Sequence, residues 1–362
     1  MRRGGLRRVV APGLISLTVV LLLAAPATAK PVPRKFFGVV PQGPLSARDL
    51  DRMEGVVGTL RIPMYWFELE PAPGVRDFER YDALLGAAAE RGVRVMPFVY
   101  GTPPWISPNS SRPPLATARA RRAWASFLRL LVARYGHGGE FWKGRAAQLP
   151  VNSWQIWNEP NFKLFWRPRP SPRGYARMLK ISAQAIRGED PRATIVAAGV
   201  APVGAGFLPR VFLRRLYRVP EVRRSFDVVA VHPYASNVRR MEIQVRDART
   251  IMDAAGDSGT PLLVSEFGVA SQGRIESAFV LGERGQASFA HDALRLLLSK
   301  RRAWRIAGAD WFTWQDGVAA DPRCAFCEGA GLLDREGRPK PAWWAFRQFA
   351  LESSDIIAGD RT

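Results

Sequence analysis

The sequence predicts a single (β/α)8 barrel, on three observations. Short apolar runs recur eight times, helical patterns fall between them, and no glycine-rich phosphate loop follows the first run. The runs are residues 36–40, 58–62, 93–99, 151–157, 193–199, 226–232, 261–266 and 307–314. They are near-continuously apolar, as strands of a parallel sheet covered on both faces are. Strands alternating with helices make right-handed βαβ units. Eight such units in roughly 315 residues match a closed barrel with some long loops. A doubly wound open sheet is the competing arrangement. It needs a glycine-rich turn after its first strand, and Pro41-Gln42-Gly43-Pro44 is not one.

The helical patterns follow in order. Residues 77–91 open on Asp77 as the expected N-cap and stop at Gly92. Within 119–135, Trp124, Phe127, Leu128, Leu131, Val132 and Tyr135 form one apolar stripe. Residues 174–187 repeat the pattern with Tyr175, Met178, Leu179 and Ile186. Residues 286–300 and 341–350 give two further helices.

The N-terminus reads differently. Arg2, Arg3, Arg7 and Arg8 precede an apolar run at 13–25, and Ala27-Thr28-Ala29 is a small-x-small triplet. This is the pattern of a secretory signal peptide. The run is shorter than the roughly 20 residues of a membrane span. The expectation is a signal at 1–29, cleavage before Lys30, a secreted or envelope-associated protein, and no stable membrane insertion afterwards. A Pro-containing linker (30–35), the barrel (36–350) and a short tail (351–362) complete the division.

Composition narrows the partners. The formal charge is +21, and removing residues 1–29 takes away four arginines and no acid, leaving +17. The basic residues are scattered and carry no nucleic-acid motif, so nucleic acid is not an expected partner. Such a charge leaves room for weak attraction to an anionic cell-envelope polymer, though 46 of the 53 basic residues are Arg, a skew that composition alone can give. Cys324 and Cys327 are the only two cysteines. A zinc site needs four ligands, and no second pair exists. In an exported chain a local disulfide in a loop is the expected reading. No ligand cluster for a metal or organic cofactor is visible, and none is expected.

In such a barrel the reacting groups sit at the C-terminal ends of the strands. The fourth run leads into Trp157-Asn158-Glu159-Pro160-Asn161, and the seventh into Ser265-Glu266-Phe267-Gly268. Two carboxylates from strands far apart in the ring would point into one cavity. Glycoside hydrolysis uses such a pair, one to protonate the leaving oxygen and one to attack or to activate water.

The run Trp154-Gln155-Ile156-Trp157-Asn158-Glu159-Pro160-Asn161, with a Glu ending the seventh strand, resembles the clan A glycoside hydrolases. It is most similar to members related to families 39 and 5. The resemblance spans residues 36–350 and implies a retaining (β/α)8 enzyme acting on a poly- or oligosaccharide. It implies Glu159 as general acid/base and Glu266 as nucleophile. It implies that Asn158 bonds the sugar 2-hydroxyl, and that Arg61, ending the second strand, keeps Glu266 ionised. His232 and Tyr234 would line the pocket, and Trp314 would form the floor under the reacting sugar.

Physical reasoning runs beside it. An opposite charge favours ionisation, so Arg61 would lower the pKa of Glu266. Trp154, Trp157 and the charge of Glu266 would raise that of Glu159. Arg61 also fits a plain barrel salt bridge, and His232 a satisfied core histidine. Trp66, Trp105 and Trp166 fit either sugar stacking or loop packing. The long loops 100–118 and 158–173, with Trp105, Phe162, Phe165 and Trp166, suggest a cleft for an oligosaccharide. Gln315 and Asp316 are expected at the cavity rim. A transglycosylase on the same two Glu, or an inactive sugar-binding envelope protein, are the alternative functions.

Overall fold

The computed structural model describes Met1 and residues 32–202, 205–273, 277–317 and 326–354. Eight parallel strands close into a ring in chain order. They are β1 (Phe37–Val40), β2 (Thr59–Tyr65), β3 (Arg94–Tyr100), β4 (Ser153–Ile156), β5 (Thr194–Val200), β6 (Val228–Val231), β7 (Leu262–Phe267) and β8 (Ile306–Phe312). Nine helices accompany them among the described residues: α1 (Ala47–Met53), α2 (Trp66–Leu69), α3 (Glu79–Glu90), α4 (Ala118–Tyr135), α5 (Pro172–Glu189), α6 (Pro209–Tyr217), α7 (Val238–Ala254), α8 (Gly282–Lys300) and α9 (Pro341–Ser353).

All eight expected strands are present. β2 continues to Tyr65, so Arg61 stands inside the strand and not at its end. The helices start where local chemistry satisfies their free N–H groups. Thr117 accepts from Ala120 N–H at 3.0 Å, Ser171 from Gly174 N–H at 3.0 Å, and Asn237 from Arg240 N–H at 3.0 Å. Ser46 and Asp49 cap α1 reciprocally. Asp77 is not the N-cap of α3; that position is Phe78, and Asp77 accepts from Glu79 N–H at 3.0 Å. The stripe of α4 is buried as expected. Val32 N–H bonds the Ser353 carbonyl at 2.9 Å, which ties the start of the barrel to the end of α9.

The main core lies between the ring and the helices. Inside the ring, Met96, Val196, Ala230 and Leu263 form a separate apolar plug. Side chains two apart share a strand face. Two residues beyond Ala230 comes His232, and two beyond Leu263 comes Ser265, so the interior turns polar toward the C-terminal ends. Arg61, Gln155, His232 and Ser265 are fully buried there, and Asp310 is 1% exposed. Two glycines make room for them. A Cβ on Gly199 would lie 2.0 Å from His232 Nε2, and one on Gly38 would lie 1.9 Å from Asp310 Oδ1.

Among the described residues no helix is long and apolar enough to cross a membrane. The expected signal segment lies, beyond Met1, outside the described residues. So does Cys324, the expected partner of Cys327; Cys327 itself is disulfide-bonded.

The Gly199 contact leads to a stability prediction. Gly199→Ala must push the imbedded His232 ring aside, and overpacking of this kind costs about 1–3 kcal/mol. Urea unfolding should show a lower midpoint at unchanged slope. An unchanged midpoint would mean the ring has room that the packing denies.

Candidate active site

Two backbone irregularities aim the carboxyl groups. Beyond β4, Trp157 and Glu159 both hold left-handed backbone, with φ of 71° and 39°. Non-glycine residues there cost about 1–3 kcal/mol each and persist only when their surroundings force them. Trp157 is forced by its packing. Its N–H bonds the Val99 carbonyl at 2.9 Å, its indole N–H bonds the Phe165 carbonyl at 2.6 Å, and its ring meets Tyr100 edge-on at 4.6 Å. In β7 the register shifts between Val264 and Phe267. A bulge re-aims side chains, so Ser265 and Glu266, consecutive in sequence, both reach interior partners.

Arg61 occupies the centre. Nη1 donates to Glu266 Oε1 at 2.6 Å, Nη2 to Asn158 Oδ1 at 2.9 Å, and Nε to Gln155 Oε1 at 2.8 Å. The guanidinium lies 4.2 Å from the Phe98 ring centroid. Tyr234 O–H donates to the other oxygen of Glu266 at 2.7 Å. His232 Nδ1 lies 2.8 Å from Glu159 Oε1 and 3.5 Å from Glu266 Oε2, while Nε2 faces Ser265 Oγ at 3.1 Å. A serine hydroxyl both donates and accepts, so it suits either tautomer. Each carboxyl side chain is 8% exposed, a narrow opening to solvent.

The surroundings push the two carboxyl groups apart. Burial raises the pKa of Glu159 and is its largest influence; the charge of Glu266 adds to it, against a bond and charge from His232. Burial would also raise Glu266, but His232, Arg61 and the Tyr234 hydroxyl outweigh it and hold its carboxyl below the ordinary value. The directions match the sequence expectation. The cause at Glu159 is burial first and its partner's charge only second. Burial and then the charge of Glu266 push Tyr234 well above the usual phenol range, which keeps it a donor.

The structure thus gathers Arg61, Asn158, Glu159, His232, Tyr234 and Glu266. It does not gather the two tryptophans. Trp314 is buried against Trp343, with ring centroids 5.2 Å apart, and donates to Asp49 Oδ1 at 3.0 Å. β8 brings Phe312 to Tyr234 instead, edge-on at 6.0 Å. Trp105 packs edge-on against Trp66 at 5.6 Å and donates to the Glu70 carbonyl at 3.0 Å. Trp166 is buried between Trp157 and Tyr175. These aromatics brace the loops. Asp316, expected at the rim, is buried on Lys340 Nζ at 2.8 Å, and Gln315 donates to the Arg335 carbonyl at 2.8 Å.

Three residues were not anticipated. Gln155 and Ser265 complete the shells of Arg61 and His232. Their signal is phase: each lies on the inward side of its strand, next to a motif residue. Asp310 is the third. Its Oδ2 is buried with no hydrogen-bond partner among the described residues. Burial, helped by the charge of Glu266 and opposed by Arg61, raises its carboxyl well above the ordinary value, which favours its neutral form.

Glu159, His232 and Glu266 offer ligand atoms within 4.8 Å of one another, close enough to share a metal ion. Arg61 already supplies the positive charge on Glu266. A divalent ion there would meet that guanidinium as a like charge. The donor set suits proton transfer better than metal holding.

Two outcomes follow for stability. Arg61→Met leaves the Glu266 charge buried without its partner and should cost about 3–5 kcal/mol; a melting point equal to wild type would show that the pair stabilises nothing. Glu159→Gln should change stability with a definite sign. A pKa raised on folding means stability lost as pH rises through the folded value. The variant should therefore gain on wild type with increasing pH in thermal melts, and a gain growing toward acid would reverse the assignment.

No family model matches the sequence. Solved structures do match the fold. A family 39 glycoside hydrolase from Bacteroides cellulosilyticus WH2 aligns with TM-score 0.65 and 19% identity, covering 88% of this chain and 64% of its own. A monomeric β-xylosidase from Caulobacter crescentus CB15 aligns with TM-score 0.65 and 20% identity, over 88% of this chain and 68% of its own. A GH5_18 variant from Streptomyces cattleya, in complex with Manβ1-4GlcNAc, aligns with TM-score 0.62 and 18% identity, over 91% and 82%. The chain thus spans less than two thirds of the length of the Bacteroides protein. It has the (β/α)8 fold that these proteins share.

Proposed function

We propose that this protein is a retaining glycoside hydrolase acting on a poly- or oligosaccharide. One observation carries the reading: two buried carboxyl groups face each other, and their surroundings push their pKa values in opposite directions, Glu159 upward and Glu266 downward. Oxygens of Glu159 and Glu266 lie within 4.8 Å of each other. Retaining enzymes hold their carboxyl groups about 5–5.5 Å apart and inverting enzymes about 6.5–9.5 Å, to admit a water. The short separation supports double displacement.

In the first step a Glu266 oxygen attacks the anomeric carbon. The glycosidic C–O bond breaks, and the Glu159 proton goes to the departing oxygen. Arg61 releases part of its hold as the Glu266 charge becomes an ester. In the second step Glu159, now a carboxylate, takes a proton from water. The water oxygen attacks the anomeric carbon and Glu266 leaves as carboxylate. A sugar hydroxyl in place of that water would give transglycosylation. Asn158 would meet a sugar hydroxyl beside the nucleophile through its amide N–H2, its Oδ1 accepting from Arg61. The resemblance of the N-terminus to a signal peptide supports export, which suits an enzyme acting on polysaccharide.

Activity on aryl glycosides tests the reading. Glu266→Gln should fall to near background. Glu159→Gln should lose about 10²–10⁴-fold on poor leaving groups and much less on activated ones. The pH profile of kcat/KM should be a bell. Its acid limb follows protonation of Glu266 and its alkaline limb deprotonation of Glu159, so Glu159→Gln should flatten the alkaline limb. Wild-type activity in either variant, or an inverted product by NMR, would overturn the assignment.

A further inference from the structure

We propose that the polysaccharide is anionic, carrying carboxylated sugars that bind on the Glu159 side of the barrel mouth. The proposal rests on the glycosidase reading and names its substrate class. Its basis is where charge lies at the C-terminal end of the barrel.

The loops after β3, β4, β5 and β6 are residues 101–117, 157–171, 201–208 and 232–237. Together they contain a single acid, Glu159, and four cations, Arg112, Lys163, Arg167 and Arg169. All four cations are exposed, and none forms an ion pair with a described residue. The helices that follow continue the pattern. α4, α5, α6 and α7 have no acid in the first turn. Each has arginine there instead: Arg119, Arg173, Arg210 and Arg239. Helix N-termini carry a partial positive charge that acidic residues normally balance. Here the arginines add to it. On the other side of the mouth, acids stand in the first turns of α1 (Asp49), α3 (Glu79 and Asp82) and α8 (Glu283); α9 has none there, but the segment before it carries Asp316, Glu328, Asp334 and Glu336.

The general basicity of the chain does not explain this. At the opposite end of the barrel, the connections into the strands mix both signs. Glu140, Asp190, Glu221, Asp227 and Asp257 lie there among the arginines. Acids are missing only from the half of the mouth that carries Glu159.

The basic rim is also preorganised. Arg167 N–H bonds the Ser111 carbonyl at 3.0 Å, joining the β3 and β4 loops. Lys163 N–H bonds the Ala205 carbonyl at 2.6 Å, and Phe207 N–H the Asn161 carbonyl at 2.9 Å. The Asn161 amide donates to the Ala201 and Phe207 carbonyls at 2.8 Å each, joining the β4 and β5 loops. The cations thus stand on a base that need not be ordered on binding. Guanidinium groups match planar carboxylates in particular. Arg61 is fully buried and each of its nitrogens already donates to a protein acceptor, so charge is not read at the reacting sugar. Glu159 protonates the departing oxygen, and the rim lies beside Glu159. The acidic sugars therefore belong to the departing part of the chain.

The test uses the full chain as Glu266→Gln, so that polymer is bound and not cut. Retardation is measured in gels containing alginate, carrageenan or neutral galactomannan. Two fourfold variants of equal net charge are compared: R112E/K163E/R167E/R169E at the rim, and K143E/R192E/R218E/R302E at the opposite end. Alginate should retard the parent, and the rim variant should bind about tenfold more weakly while the control stays within about twofold. Raising NaCl from about 50 to 500 mM should weaken the parent's binding to alginate and not to galactomannan. Melting curves establish that both variants fold, and R112Q/K163Q/R167Q/R169Q replaces the rim variant if it does not. Equal losses in rim and control variants would overturn the proposal, as would galactomannan binding as tight as alginate binding. Binding to carrageenan alone, which carries sulfate and no carboxylate, would overturn the carboxylate assignment. The glycosidase reading is judged separately, by wild-type cleavage of aryl glycosides. Rim-specific binding with no cleavage by the wild type would sink that reading and leave the anionic partner standing.

Discussion

The polar interior of this barrel is organised by one side chain, Arg61. All three of its nitrogens donate to buried acceptors, and Phe98 covers one face. It thereby couples β2 to β3, to β4 and the turn beyond it, and to β7. A buried charge is tolerable only when its partners are complete. The constraint runs in both directions. Glu266 must be present and ionised, Asn158 must present its oxygen, and Gln155 must face inward. Those demands fix the ends of β4 and β7, where the backbone departs from regular strand. The left-handed turn at Trp157 and Glu159 and the register shift in β7 are the geometry needed to bring these groups to one guanidinium.

Asp310 shows how narrow the electrostatic solution is. It is a second acid within the field of Arg61 and Glu266, yet it has no hydrogen-bonded cation. Were it ionised, it would compete with Glu266 for the same positive charge. Burial favours its neutral form, and in that form Arg61 stays committed to one carboxylate. The ring of Phe98 and the apolar plug beneath bury these charges, so each neighbour counts for more than it would at a surface.

Much of this was legible in the sequence, for identifiable reasons. Strands buried on both faces read as apolar runs, so all eight could be seen. The motif around Glu159 and the Glu ending β7 marked the pair, and Arg61, His232 and Tyr234 came with them. What failed depended on direction more than composition. Trp314 lies two residues past β8, and the chain there turns toward α1 and α9, so its ring joins Trp343. Trp105 and Trp166 sit on long loops, where an aromatic residue can brace the loop or face the cavity with the same sequence. α6 and α7 do bury apolar stripes, Phe212, Leu213 and Leu216 in one and Met241, Val245, Ala248 and Met252 in the other, but their many exposed arginines make the segments polar as a whole, which hid them. Asp310 was hidden inside a hydrophobic run, where one acid reads as noise until the register shows it facing Gly38.

His232 connects the structural constraint to the proposed chemistry. Its Nδ1 is close to both carboxyl groups, and its other nitrogen is held by Ser265. Gly199 leaves the space that fixes the ring. On the proposed course, Glu266 loses its charge when the ester forms. One of the influences raising the Glu159 pKa then disappears, but the largest, burial, remains. Loss of the neighbour's charge alone would leave Glu159 only partly relaxed toward a carboxylate. The bond from His232 opposes that residual burial, since it favours the ionised form of Glu159. On that proposed course, a histidine at this position would help one buried residue serve as acid and then as base. The same ring near two carboxyl groups would be an expensive ornament in a barrel that had no proton to move.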